Sequence, residues 1–174
     1  MSIDAVLIDL GDTLAYIDKA GIDSYRQALL AVVRQYGYQG DLGEFSTRFD
    51  HAIGNSMKGE VKNLHEFWRL FMKDLRIQAE EETVIEKLEE TRKTHSATLF
   101  KLFDGSLEIL ASLQKKYRLA LVSNCAIGTS ENIESLKLAP FFECIILSYE
   151  VKSRKPSKLI YLEALRCLNV KAAD

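Results

Sequence analysis

The sequence predicts an α/β fold in which a parallel sheet carries an inserted bundle of helices. Three short and almost continuous apolar runs, at residues 3–10, 119–123 and 144–148, are typical of strands buried on both faces. Segments with helical periodicity separate these runs along the chain. Strands that alternate with helices in this way indicate a doubly wound parallel sheet.

The helical insertion lies between the first and second strands and is much longer than a crossover needs. An apolar stripe from Tyr25 to Tyr36 predicts a first helix that ends at Gly37. Capping-box pairs predict the starts of two more helices, Asp41 with Glu44 and Asn63 with Glu66. A fourth helix is predicted at about residues 80–99. We therefore predict a core domain of residues 1–14 and 103–174, and a helical cap domain of residues 15–102.

The composition of the chain argues against several kinds of binding partner and cellular location. The chain has 174 residues, 47% hydrophobic and 28% charged, with a formal net charge of -2, so neither disorder nor nucleic-acid binding is expected. No apolar run approaches the roughly 20 residues of a membrane span. The three cysteines, Cys125, Cys144 and Cys167, lack C-x-x-C spacing, which argues against a disulfide framework and a zinc site. Without a signal-peptide pattern at the N-terminus, we expect a cytoplasmic protein with no membrane partner.

Polar residues follow each predicted strand, at the sheet edge where ligands bind in open parallel sheets. Residues 9–13, Asp-Leu-Gly-Asp-Thr, follow the first strand, Ser123 and Asn124 end the second, and Lys155 with Pro156 comes after the third. A carboxylate can attack phosphorus while hydroxyl, amide and ammonium groups hold the phosphoryl oxygens. The set therefore favours phosphoryl transfer.

These residues carry a resemblance to a known family. The D-x-x-x-T-L segment at 9–14, Ser123-Asn124 and Lys155-Pro156 resemble motifs I, II and III of the haloacid dehalogenase (HAD) superfamily. The helical insertion after the first motif is similar to the C1-type cap of that superfamily. The resemblance implies a Rossmann-like core and a hydrolase.

The resemblance also implies roles for single residues. Asp9 would be the nucleophile that forms an aspartyl-phosphate, Ser123 would bind the transferred phosphoryl group, and Lys155 would neutralise both. Asp9 and the backbone carbonyl of Gly11 would be ligands of a Mg²⁺ cofactor.

Substrate binding follows from the same resemblance. Thr13 and Asn124 match supporting positions, and the substrate would be a small phosphorylated metabolite. Three cap residues lie where cap side chains often face the substrate in similar proteins: Tyr16, Lys19 and Lys58. Cys125 is interpreted as a packing thiol, and Trp68 with Phe71 as part of the core of the cap.

One departure concerns the general acid. Phosphatases of the superfamily usually read D-x-D-G-T, but the second aspartate position is Gly11 here, and the neighbouring Asp12 is a candidate surrogate acid. Loss of a general acid typically costs ~10² to 10⁴ in rate. Two alternatives to a phosphatase therefore stay open: a 2-haloacid dehalogenase-like enzyme and a catalytically silent binding protein.

The other departure concerns the fourth motif, an acidic pair that follows a further strand in the superfamily. No such strand follows the helix predicted at 157–168. We expect the chain to be a fragment of a longer protein, with an incomplete magnesium site and its first strand at the sheet edge. The oligomeric state stays open.

Overall fold

A computed structural model describes residues 3–172, except for the side chains of residues 96–98. The helices and strands follow one another in this order: β1 (Ala5–Ile8), β2 (Ala15–Ile17), α1 (Lys19–Gln35), α2 (Leu42–Met57), α3 (Leu64–Asp74), α4 (Glu81–Leu99), β3 (Phe100–Leu102), α5 (Ser106–Gln114), β4 (Arg118–Ser123), α6 (Thr129–Ser135), β5 (Cys144–Leu147), α7 (Ser148–Val151) and α8 (Lys158–Cys167). A short 3₁₀ turn covers Ala139–Phe141. Among residues 3–172, no helix combines the length and hydrophobicity needed to cross a membrane.

The predicted parallel sheet is confirmed. β4 lies between β1 and β5 and pairs with both in parallel, with Leu121 opposite Ile8 on one side and Ile145 on the other. Side chains of β4 alternate between two buried clusters: Leu119 and Leu121 pack on one face, while Ala120 and Val122 pack on the other against α8. β1 lies at the edge of the sheet, as predicted.

Four helices, α1 to α4, form the insertion, and they have their own core. Five aromatic side chains lie at its centre within ring-centroid distances of 4.9 to 6.4 Å: Phe45, Phe49, Phe67, Trp68 and Phe71. Both predicted N-caps form, because Asp41 accepts the Glu44 N–H and Asn63 accepts the Glu66 N–H, each at 2.8 Å. The structural role expected for Trp68 and Phe71 is confirmed.

Two short strands connect the helical insertion to the sheet, and the sequence did not predict them. β2 and β3 pair antiparallel, with Ala15 opposite Leu102 and Ile17 opposite Phe100. Each strand has three residues, which is too short for an alternating pattern to stand out. Ala15, the first residue of the predicted cap, is fully buried in the same cluster as Leu121 of the sheet. The boundaries at 14/15 and 102/103 stay a prediction.

The expectation drawn from cysteine spacing is wrong for two of the three cysteines. Cys144 in β5 and Cys167 at the end of α8 form a disulfide, with their Cα atoms 6.2 Å apart. Because α8 packs back against β5, residues separated by 23 positions come within disulfide range. Cys125 is a free, buried thiol.

Substitutions of two neighbouring residues in α5 provide a test of how this helix packs against the sheet. Leu110 is fully buried, whereas 58% of Ile109 is exposed. We expect Leu110→Ala to lower the free energy of unfolding by about 2–5 kcal/mol because it leaves a cavity. The matched Ile109→Ala variant should change it by less than about 0.5 kcal/mol. Urea unfolding followed by circular dichroism measures both, and equal losses would contradict this packing.

Candidate active site

The turn after β1 places Asp9 at the carboxyl end of the strand. The Leu10 carbonyl accepts the N–H groups of Leu14 and Ala15, both at 3.0 Å, which closes the turn directly behind Asp9. Asp9 Oδ1 accepts the Leu10 N–H at 2.8 Å. The carboxylate is therefore held by its own turn while the side chain stays 38% exposed, within reach of a ligand.

Lys155 lies against this carboxylate. Its Nζ is 2.5 Å from Asp9 Oδ2, and the lysine side chain is only 20% exposed. The partial burial weakens solvent screening, so the pair is stronger than an open surface ion pair. The first and third motifs, 146 positions apart in sequence (155 minus 9), thus meet at one point.

Asn124 fixes the backbone of Lys155 from the end of β4. Its side-chain oxygen accepts the Lys155 N–H at 2.8 Å, and its Nδ2 donates to the Lys155 carbonyl at 3.1 Å. The amide is therefore engaged with protein backbone on both sides. Asn124 also lines the cavity next to the sheet, and its predicted role in substrate binding stays a prediction.

The other predicted residues divide between the cavity and the surface. Gly11, Asp12 and the buried Ser123 line a cavity of about 380 Å³ that opens between the helical insertion and the carboxyl ends of β1 and β4. Asp12 adopts a left-handed backbone (φ 55°), which aspartate tolerates better than most residues. Thr13 is exposed and is not among the cavity-lining residues.

Among the three cap residues singled out from the sequence, Tyr16 lines the cavity, whereas Lys19 and Lys58 do not. Sequence patterns missed further lining residues, notably Arg92 of α4 and Asn132 of α6. Both are buried polar residues on helices, 7% and 8% exposed. An arginine in a helical pattern is ordinarily a surface residue, so no signal in the sequence separated Arg92 from its neighbours.

The oxygen atoms near Asp9 are of the kind that Mg²⁺ prefers. Each carboxylate oxygen of Asp9 makes one hydrogen bond or ion pair and keeps further lone pairs, and Gly11 offers a backbone carbonyl. Magnesium is usually held by one or two carboxylates together with water and a substrate phosphate. Within residues 3–172, no three His, Cys, Asp or Glu side chains form a larger metal centre. The donors fit a cation shared with a phosphate.

Cys125 follows Asn124 but is unsuited to nucleophilic chemistry. The thiol packs among Leu10, Leu121 and Ile133, and 6% of the residue is exposed. Burial raises the pKa of Cys125 to about 12. At neutral pH the group is therefore a protonated thiol, which agrees with a packing role.

Comparison with known proteins agrees with this geometry. The family model for haloacid dehalogenase-like hydrolases matches residues 6–174. The chain belongs to this family. The glyceraldehyde 3-phosphate phosphatase of Methanopyrus kandleri is 26% identical over 173 residues, which cover 99% of this chain and 73% of that protein. The HAD family thus includes a phosphatase among the relatives of this chain.

Solved structures of HAD proteins share the fold. A 2-haloacid dehalogenase from Pseudomonas syringae superposes with a TM-score of 0.72 at 20% identity, over 99% of this chain and 75% of that chain. A HAD family enzyme from Bacteroides thetaiotaomicron, solved as a magnesium complex, gives a TM-score of 0.65 at 20% identity, over 97% and 79% of the two chains. At these identities the likeness establishes the HAD fold, and the residue roles rest on the site itself.

The environment of Cys125 makes a testable prediction. In the native protein at pH 8, a thiol with a pKa of about 12 should react with Ellman's reagent far more slowly than an open cysteine. In guanidinium without reductant, one thiol per chain should react, because Cys144 and Cys167 are joined. Cys125→Ser is the control, and it should leave no reactive thiol in guanidinium. A rapid reaction of the native protein would contradict the buried environment.

Proposed function

We propose that the protein is a magnesium-dependent phosphatase that hydrolyses a small phosphate monoester through an aspartyl-phosphate on Asp9. One observation carries the proposal: the Asp9 carboxylate and the Lys155 ammonium form a close pair at the carboxyl end of β1. Their neighbours Leu10, Gly11 and Asn124 line the cavity, although Asp9 and Lys155 themselves do not. The phosphatase among the relatives supports the same reaction class. A cavity of about 380 Å³ is within the range of sites for small molecules.

The first half of the reaction transfers the phosphoryl group to Asp9. A carboxylate oxygen of Asp9 attacks phosphorus, an oxygen–phosphorus bond forms, and the ester phosphorus–oxygen bond breaks. The electron pair of that bond leaves on the alcohol oxygen, which takes up a proton. Lys155 offsets negative charge on the phosphoryl oxygens, and the Ser123 hydroxyl donates to one of them.

The second half returns the enzyme to its starting state. Water attacks the phosphorus of the aspartyl-phosphate, the bond to Asp9 breaks, and inorganic phosphate leaves with the water oxygen. The carboxylate of Asp9 is restored. The sum is one phosphate monoester and one water converted to one alcohol and one phosphate.

Asp12 is proposed to exchange the protons in both halves. It lines the cavity beside Gly11 and, as a carboxylic acid, can protonate the leaving alcohol and then accept a proton from water. The left-handed turn at Asp12 breaks the alternation of an extended segment, in which neighbouring side chains point to opposite sides. Asp9 and Asp12 can therefore serve one site.

The proposed magnesium ion would be bound by oxygen atoms next to the turn after β1. We propose that Asp9 and the Gly11 carbonyl hold the ion, which when bound would withdraw charge from the phosphoryl oxygens. Thr13 is exposed, and we propose no contact between it and the phosphate.

The nucleophile has a direct test. We expect Asp9→Asn to lower Mg²⁺-dependent phosphate release by at least about a thousandfold, because the covalent step is lost. Asp104→Asn, which neutralises an exposed carboxylate after β3, is the matched control and should retain full activity. Phosphate release from a panel of sugar, aryl and nucleotide monophosphates measures both variants. Unchanged release by Asp9→Asn would refute the assignment, and chloride release from 2-chloropropionate would favour a dehalogenase instead.

The proton-transfer role of Asp12 makes a rescue prediction. Asp12→Asn should lower kcat by ~10²-fold or more through loss of the general acid. A Cβ built on Gly11 meets no atom within 4 Å, and its backbone does not require glycine, so an aspartate fits there. Gly11→Asp in the Asp12→Asn background should restore part of kcat, whereas the matched Gly11→Asn should not. Full activity of Asp12→Asn alone would exclude Asp12 as the acid.

A further inference from the structure

The cavity beside Asp9 is polar at the end next to the sheet, its floor, and apolar along the helical insertion, its walls. Its floor is polar, where Gly11, Asp12 and Ser123 adjoin the carboxyl ends of the strands. The walls come from the helical insertion and are apolar: Ile53 and Met57 are half-buried, and the lining also includes Phe49, Phe67 and Trp68 from the buried core of the insertion. A group that extends from a phosphate at Asp9 into the cavity would lie against these walls.

Apolar walls select against a leaving group covered with hydroxyls. Each hydroxyl brought into contact with rings and methyl groups loses its hydrogen bonds to water without a replacement, which is unfavourable. A ring or alkyl group in the same place is instead removed from water and packs against the apolar walls. The walls therefore favour an apolar leaving group over a polyol.

One corner of the cavity is polar, where α4 meets α6. Asn132 of α6 is 8% exposed, and its Oδ1 has no hydrogen-bond partner among the described residues. This oxygen atom is itself inaccessible to a water-sized group, so a ligand in the cavity does not reach it. The corner therefore offers no free acceptor to a ligand.

Charge excludes a second anionic group at this corner. Arg92 is the only cationic side chain among the described residues that line the cavity, and its guanidinium already bonds Glu89 at 3.1 Å and Glu131 at 3.0 Å. The lining also contains the acidic Asp12 and Asp50. No uncompensated positive charge is left for a carboxylate or a second phosphate.

We propose that the site takes phosphate monoesters of an uncharged, apolar alcohol or phenol. Sugar phosphates, bisphosphates and phosphorylated carboxylic acids are disfavoured. This inference rests on the proposed phosphatase function for the reaction, but the binding of the alcohol can be measured without turnover.

Trp68 provides the binding signal. It is the single tryptophan of the chain, it lines the cavity, and its indole N–H donates to the Glu89 carboxylate that also pairs with Arg92. Titration with 2-phenylethanol should change the Trp68 emission saturably, and glycerol at the same concentrations should not. A saturable change with glycerol, or none with 2-phenylethanol, overturns the proposal.

Turnover separates this inference from the proposed function. We expect kcat/KM for 2-phenylethyl phosphate to exceed that for glycerol 1-phosphate by at least about tenfold. A preference for glycerol 1-phosphate would overturn the substrate class while keeping the phosphatase. Binding of 2-phenylethanol with no phosphate release from either ester would support the cavity inference and overturn the phosphatase.

Discussion

The parallel pairing of β4 with both β1 and β5 is the constraint on which the rest of the site depends. Parallel strands present their carboxyl ends at one edge of a sheet, so Asp9, Ser123 and the segment that carries Lys155 are delivered to one place. Two hydrogen bonds between the Asn124 side chain and the Lys155 backbone, one donated by each residue, then hold the backbone that carries the ammonium. Burial of Ala120, Leu121 and Val122 holds the sheet that makes this arrangement.

The helical insertion covers that edge of the sheet and lines one side of the cavity. Its aromatic core is separate from the clusters around the sheet, so the helices can keep their shape as a unit. Among the described residues, three polar side-chain contacts between these helices and the core are the Ser148 hydroxyl donating to the Met57 carbonyl at 3.0 Å, the Ile127 N–H donating to the Ser56 hydroxyl at 3.4 Å, and the pair of Arg92 with Glu131 at 3.0 Å. The cavity lies between these contacts. The proposed reaction would thus depend on side chains at the sheet, and the proposed substrate preference on side chains of the helices.

Gly11 illustrates how a motif position can differ without a change of fold. The turn after β1 is closed by backbone hydrogen bonds to the Leu10 carbonyl, and these do not involve a side chain at position 11. The backbone of Gly11 lies outside the left-handed region, so the residue is not required for the turn. The glycine changes the chemistry of the site, because position 11 carries no carboxylate. The carboxylate next to it in the cavity lining belongs to Asp12, whose backbone is left-handed.

The sequence by itself determined the three parallel strands, the four inserted helices with the caps at Asp41 and Asn63, and the location of Asp9 and Lys155 at one edge of the sheet. Periodicity and capping are local, and the sheet rule turns strand ends into neighbours. Only the tertiary structure decided the β2–β3 pair, the Cys144–Cys167 disulfide, the hydrogen bonds between Asn124 and Lys155, and the presence of Arg92 and Asn132 at the cavity. Each of these depends on contacts between residues far apart in the chain. Such contacts are set by how helices and strands pack, and short-range patterns carry no record of them.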